Sequence, residues 1–107
     1  MITEIECHAE EIARLCRQFG VRRLEVFGSA ASGGFDPARS DLDFLVSFEP
    51  AGASLFRRYF GLQEALERLF GRKVDLVSAD ALRNPYFIAE VARSRRTIYA
   101  APFAEAA

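Results

Sequence analysis

The segment Leu42-Asp-Phe-Leu-Val-Ser-Phe48 leaves this chain few folds to choose from. It is apolar at every residue except Asp43 and Ser47, so an extended backbone carries apolar side chains on both of its faces. A strand of that kind is covered on both sides, or nearly so. It needs neighbouring strands and helices above and below, and the rest of the chain supplies candidates for them.

Ile5, Ile12, Leu15, Cys16 and Phe19 follow helical spacing and Gly20 ends the pattern, which predicts an amphipathic helix over 3–19. Thr3 is the candidate N-cap, and Glu4 and Glu6 suit the positive end of the helix dipole. In Arg22–Phe27, Leu24 and Val26 alternate with charged residues, as in a half-buried strand. Residues 30–40 mix small residues with Gly33-Gly34 and Asp36-Pro37, predicting a short helical turn and then a loop. Ser54 can cap a helix over Leu55–Phe70, whose buried stripe is Leu55, Tyr59, Leu62, Leu66 and Leu69 and which Gly71 ends. Gly61 costs that helix about 1 kcal/mol relative to Ala. Lys73–Val77 reads as a third strand. Asn84-Pro85 reads as an N-cap with proline at the first helical position, opening a helix to about Ser94, and Thr97–Ala100 as a last edge strand.

The order is α-β-α-β-α-β-α-β. The predicted class is therefore α/β (α+β), a small mixed sheet flanked by helices in one domain over 1–107. Its N-terminal helix falls within 1–20, and a loose tail occupies 101–107.

Composition narrows the function classes. At 107 residues there is room for one core, and half the residues are hydrophobic with 27% charged, which excludes a disordered or low-complexity chain. The formal net charge is −1, so nucleic acid cannot be held by bulk electrostatics, and no direct DNA binding is expected. The N-terminus is acidic where a signal peptide is basic, and no apolar run approaches the roughly 20 residues of a spanning helix, so no membrane partner is expected. Cys7 and Cys16 fall on opposite faces of one predicted helix, roughly 13 Å apart along its axis, too far for a disulfide. Reduced thiols fit a cytoplasmic protein.

Three features carry chemistry. Gly28-Ser29 sits where a strand turns towards a short helix, Asp41-Leu42-Asp43 opens the central strand, and Asp75 lies between Val74 and Leu76. Asp41 and Asp43 project to one face of their strand, and Asp75 joins them if its strand pairs alongside. Carboxylates about 5 Å apart repel by roughly 3 kcal/mol per pair at an effective dielectric of about 20. Folding gains nothing from such crowding, whereas a divalent cation removes the penalty, and an all-oxygen donor set suits Mg²⁺. At Gly28 the backbone can approach a phosphate closely, and the amides that follow, with the Ser29 hydroxyl, can donate to its oxygens. Metal beside a phosphate cradle is the equipment for phosphoryl or nucleotidyl transfer.

Gly28-Ser29, an eleven-residue spacer, Asp41-Leu42-Asp43 and then Asp75 together resemble the signature of the DNA polymerase β-like nucleotidyltransferase superfamily. The wording Val26-Phe-Gly-Ser-Ala-Ala31, Ser40-Asp-Leu-Asp-Phe-Leu-Val46 and Gly71-Arg-Lys-Val-Asp-Leu-Val77 is similar to its minimal nucleotidyltransferase (MNT) group. The similarity covers nearly the whole chain after the first helix. It implies that Asp41 and Asp43 bind two Mg²⁺ ions holding the triphosphate of ATP. Asp75 would ligate the ion nearer the attacking hydroxyl. Gly28 and Ser29 would hold phosphates, with Arg39 and Ser40 completing the nucleotide-binding set. It also implies a HEPN-type toxin as partner, to a tyrosine of which AMP is transferred, this chain acting as antitoxin. The family often carries Arg or Lys where this chain has Ser32, which weakens the hold on the triphosphate or leaves it to Arg39.

Two other readings stand beside this one. A binding module with a weakened nucleotide site would neutralise the toxin by occlusion, which Ser32 motivates. A transferase acting on a small hydroxylated molecule would need an acceptor-binding region that these elements do not provide. Homo- and hetero-oligomers are both open. His8, the single histidine, sits on a Glu-rich helix and reads as a surface or partly packed residue, which disfavours any mechanism needing a histidine base. Arg93, Arg95 and Arg96 read about equally well as a solvated helix end and as an RNA or partner contact.

Overall fold

The computed structural model describes residues 3–28, 42–50 and 54–101. Helices α1 (Thr3–Cys7) and α2 (Ala9–Gln18) lead into strand β1 (Val21–Phe27). Strand β2 (Leu42–Phe48), helix α3 (Leu55–Phe70) and strand β3 (Val74–Ser78) follow, and one 3₁₀ turn (Ala79–Ala81) joins β3 to helix α4 (Pro85–Ser94) and strand β4 (Arg96–Ala100). The four strands form one mixed sheet in the order β3-β2-β1-β4. β2 pairs antiparallel with β1 and parallel with β3, and β4 closes the other side antiparallel to β1. The parallel β2–β3 pair needs a crossover connection, which α3 provides. Among the described residues no helix is long and apolar enough to cross a membrane.

The doubly apolar β2 is indeed central and covered on both faces. Leu42, Phe44 and Val46 point into the main core with Leu24, Val26, Val74 and Leu76, beneath Ile5, Ile12 and Cys16 of α1 and α2 and Leu62 and Leu66 of α3. Leu45 points the other way, into a smaller cluster with Phe27 and with Val91 of α4. Each such fully buried aliphatic or aromatic side chain contributes about 1.5–3 kcal/mol. Burial pushes the Cys16 thiol up to about 12, with Arg17 opposing the shift, so this cysteine is a core residue and Cys7 is the exposed one.

Asn84 caps α4 as its sequence implies, its Oδ1 accepting from the amides of Tyr86 (2.9 Å) and Phe87 (3.3 Å), with Pro85 in the first turn. Gly71 ends α3 in the left-handed conformation. Several local expectations are corrected, among them the place of Leu55 on the buried stripe of α3, since it is 59% exposed. The first helix is broken at His8, whose ring packs edge-on against Phe70 at 5.5 Å, and Thr3 lies inside α1 instead of capping it. Ser54 occupies the N-cap position of α3 without a side-chain capping bond; its carbonyl accepts from Arg58 instead. Glu25 belongs to no solvated strand face: it is 5% exposed, because Arg95 folds back on it at 3.0 Å and Arg23 flanks it at 3.7 Å. Arg95, at the end of α4, thus pairs with Glu25 while its own side chain stays partly exposed. Gly61 has a packing reason, since a Cβ there would lie 2.6 Å from the Phe19 ring.

Residues 30–40, with the predicted helical turn, and the tail after residue 101 lie outside the described residues.

Candidate active site

Alternation along the strands decides where the carboxylates go. Leu42, Phe44, Val74 and Leu76 are committed to the main core, so Asp43 and Asp75 project from the opposite face of the sheet. The parallel register makes Asp43 and Asp75 Cα partners, side by side on strands about 4.8 Å apart. Lys73 and Leu42 tie the two strand beginnings together, the Leu42 amide donating to the Lys73 carbonyl at 3.4 Å. Both carboxylates line a cavity of about 400 Å³, walled by Phe27, Tyr59, Gln63 and Phe87. This open stretch of sheet exists because α4 covers only the neighbouring stretch, where Phe87 packs edge-on against Phe27 at 5.8 Å.

Gly28 follows Phe27, the register partner of Asp43. Its φ is +72°, and a Cβ would stand 2.7 Å from Asp43 Oδ2. The bare backbone at this position therefore makes room for the carboxylate itself. The Gly28 amide donates to Ser94 Oγ at 3.0 Å, at the last residue of α4. That amide is engaged within the protein, so a phosphate at this turn would rely on the donors after it.

Tyr59 and Gln63 bring α3 to the same cavity. The Tyr59 hydroxyl donates to the Leu76 carbonyl and the Gln63 amide to the Val74 carbonyl at 3.1 Å. Burial, and then the negative charge of Asp75, push the Tyr59 phenol above its ordinary value.

The structure thus brings together Asp43, Asp75 and Gly28 of the residues the sequence singles out. Ser29, Ser32, Arg39, Ser40 and Asp41 lie outside the described residues. No three His, Cys, Asp or Glu side chains among the described residues group as a metal centre; the described part of the site holds two carboxylates. Ser94, Tyr59 and Gln63 are additions. The helical stripe Phe87–Val91–Ser94 could have flagged Ser94 as inward-facing, but nothing local announces its contact with Gly28.

The nucleotidyltransferase domain family matches residues 9–98, spanning every element that carries this site. The chain belongs to that family. It is 38% identical over 80 residues, 75% of each chain, to the protein adenylyltransferase MntA of Thermococcus cleftensis. A solved structure of a minimal nucleotidyltransferase superimposes with a TM-score of 0.69 at 38% identity, covering 85% of this chain and 89% of that one. The fold, a small mixed sheet flanked by helices, is the polymerase β-like nucleotidyltransferase fold. It recurs at 15% identity and a TM-score of 0.63 in a complex of a tri-AMPylated Shewanella oneidensis HEPN toxin with an MNT antitoxin, over 95% of this chain and 77% of that one.

Proposed function

We infer that this protein is an adenylyltransferase that transfers AMP from ATP to a hydroxyl of a HEPN-type toxin partner, a tyrosine by our reading, and so acts as its antitoxin in the cytoplasm. The observation that carries this reading is the pairing of Asp43 with Asp75 on an open sheet face beside Gly28, in a chain similar to a protein adenylyltransferase. It is supported by the kind of complex in which the same fold occurs, an AMPylated HEPN toxin held by an MNT antitoxin.

The donor set fits a magnesium site. Both side chains offer oxygen only, they stand on adjacent strands of a packed sheet, and Asp41, two residues before Asp43, adds a third carboxylate by our reading. Two bound Mg²⁺ ions would neutralise charge on the triphosphate and lower the pKa of the attacking hydroxyl. The chain's own residues do the rest. Asp41 and Asp43 would hold the counter-ions of the nucleotide, and Ser29, with Arg39 and Ser40, would donate to phosphate oxygens. The acceptor oxygen bonds to the α-phosphorus, the bond from that phosphorus to the bridging oxygen breaks, and pyrophosphate leaves. By our reading Asp75 would ligate the ion nearer the acceptor and help to activate its hydroxyl.

Ser32 favours one second reading, occlusion of the toxin without transfer, and a single experiment separates the two. Wild type and Asp75→Asn are each incubated with the HEPN-type partner and ATP, and the partner is weighed by mass spectrometry. The wild type is expected to add one or more AMP units. Asp75→Asn is expected to keep most nucleotide affinity and transfer slower by several orders of magnitude. No mass gain with either protein, while both suppress the toxin equally, would establish occlusion instead.

A further inference from the structure

Helix α3 exposes what an amphipathic helix ordinarily hides. Leu55, Phe56 and Phe60 are 59%, 70% and 49% exposed, although Leu62 and Leu66 of the same helix are fully buried. The exposed rings are ordered among themselves: Phe56 lies against Phe60 at 4.7 Å between centroids, and Phe60 meets Tyr59 edge-on at 5.1 Å. With Phe48 and Pro50 at the end of β2, these residues border a groove of about 540 Å³. Among the described residues its polar lining is Arg22, Glu49 and Ser78, with the hydroxyl-bearing Tyr59.

This groove adjoins the candidate active site. Tyr59 walls both the groove and the cavity that holds Asp43 and Asp75, and it is the only described residue to do so. An apolar segment lying along Phe56 and Phe60 therefore reaches Tyr59, which also lines the cavity with Asp75.

We propose that this groove holds the apolar segment of the acceptor protein next to the hydroxyl that is modified, and so selects the acceptor. The proposal rests on the adenylyltransferase reading above. An acceptor hydroxyl has to reach Asp75 from outside the domain, and its flanking residues need a surface near that carboxylate. The groove lies across Tyr59 from it. A nucleotide is a poor occupant, because the triphosphate carries several negative charges and, among the described residues, the lining sets one arginine against one glutamate. A second copy of this chain is a poor one as well, since it would wall off the Tyr59 edge of the active site from the acceptor. Clustered exposed aromatic residues are the side chains that dominate protein interfaces.

The test is the double variant Phe56→Ser with Phe60→Ser, both positions being exposed, compared with Phe56→Leu with Phe60→Leu. AMP transfer to the HEPN-type partner is measured as a function of partner concentration. Affinity for a non-hydrolysable ATP analogue is measured by calorimetry, and oligomeric state by sedimentation. The serine pair is expected to raise the KM for the partner at least tenfold, leave kcat within about threefold, and leave analogue affinity and melting temperature unchanged. The leucine pair is expected to restore most of the KM. Three outcomes overturn the proposal: an unchanged KM, a matching loss of analogue affinity, or a wild-type oligomer that the serine pair dissolves while transfer is unaffected. If the wild type itself adds no AMP, the adenylyltransferase reading fails first. The groove is then judged by complex formation alone, and it too fails unless the serine pair weakens the complex at least tenfold.

Discussion

A methyl group at position 28 has nowhere to go. It would stand 2.7 Å from Asp43 Oδ2, on a backbone whose φ of +72° already disfavours any side chain. Gly28→Ala should therefore destabilise the fold by about 1–3 kcal/mol, combining left-handed strain with displacement of the carboxylate. In a urea titration the midpoint should fall while the slope stays constant. AMP transfer should fall further than stability does, because Asp43 is pushed from its place beside Asp75. A midpoint within error of wild type would mean that Asp43 does not crowd this glycine. The special status of Gly28 is legible in the chain, since it closes a strand and precedes a serine. Ser94 is not legible, because its bond to the Gly28 amide joins residues 66 positions apart and is created by the docking of α4. Glu25 was hidden for the same reason: its burial depends on Arg95, which lies on the far side of β3 and α4 in sequence.

β3 is an edge strand, and such an edge presents unpaired amides and carbonyls. α3 answers them with three side chains one helical turn apart. Glu67 accepts from the Val74 amide at 3.1 Å, Gln63 donates to the Val74 carbonyl, and Tyr59 donates to the Leu76 carbonyl. These contacts hold the residues on either side of Asp75. The helix and its left-handed cap could be read from periodicity and Gly71, and β2 and β3 from their apolar runs. The lateral fit of α3 along β3 could not, because polar residues on a helical stripe look solvated until the strand beside them is known. Tyr59→Phe removes one of the three bonds and should cost about 1 kcal/mol at neutral pH, read as a lower urea midpoint. The pH dependence gives a second reading. The Tyr59 phenol is raised above 10.0, first by burial and then by Asp75, so its contribution is complete below pH 10 and is lost as pH rises through the folded value. Cys16, raised to about 12, weakens the fold in the same direction but is common to both proteins and cancels in the difference. The stability gap between wild type and Tyr59→Phe should therefore close at strongly alkaline pH. A gap that widens there would show that the phenolate is better accommodated in the folded protein than in the unfolded chain.

At the scale of the molecule, the sheet sorts its two faces by task. One face carries the main core under α1, α2 and α3; the other is shared between α4 and the open stretch where Asp43 and Asp75 stand. The site was legible in outline because each of its motifs is local, whereas its assembly needed the parallel β2–β3 register that sets the two carboxylates side by side. Two acidic groups in that position are well placed for a ligand that binds only the folded state. Such a ligand stabilises by RT ln(1 + [L]/Kd), about 1.4 kcal/mol at ten times Kd. For a domain of this size that raises the melting temperature by roughly 5–10 °C. Mg²⁺ or Mn²⁺ together with ATP is expected to produce such a rise in the wild type and to release none of it on adding monovalent salt at the same ionic strength. In Asp43→Asn the cation-dependent rise should vanish while the metal-free melting temperature stays near that of the wild type, the amide being a close isostere that keeps the carboxylate's place beside Gly28. If Asp43→Asn keeps the full cation response, the carboxylate pair is not the metal site. If it instead melts well below the wild type without any cation, Asp43 is a structural residue, and the open face of the sheet owes its acidity to folding and not to catalysis.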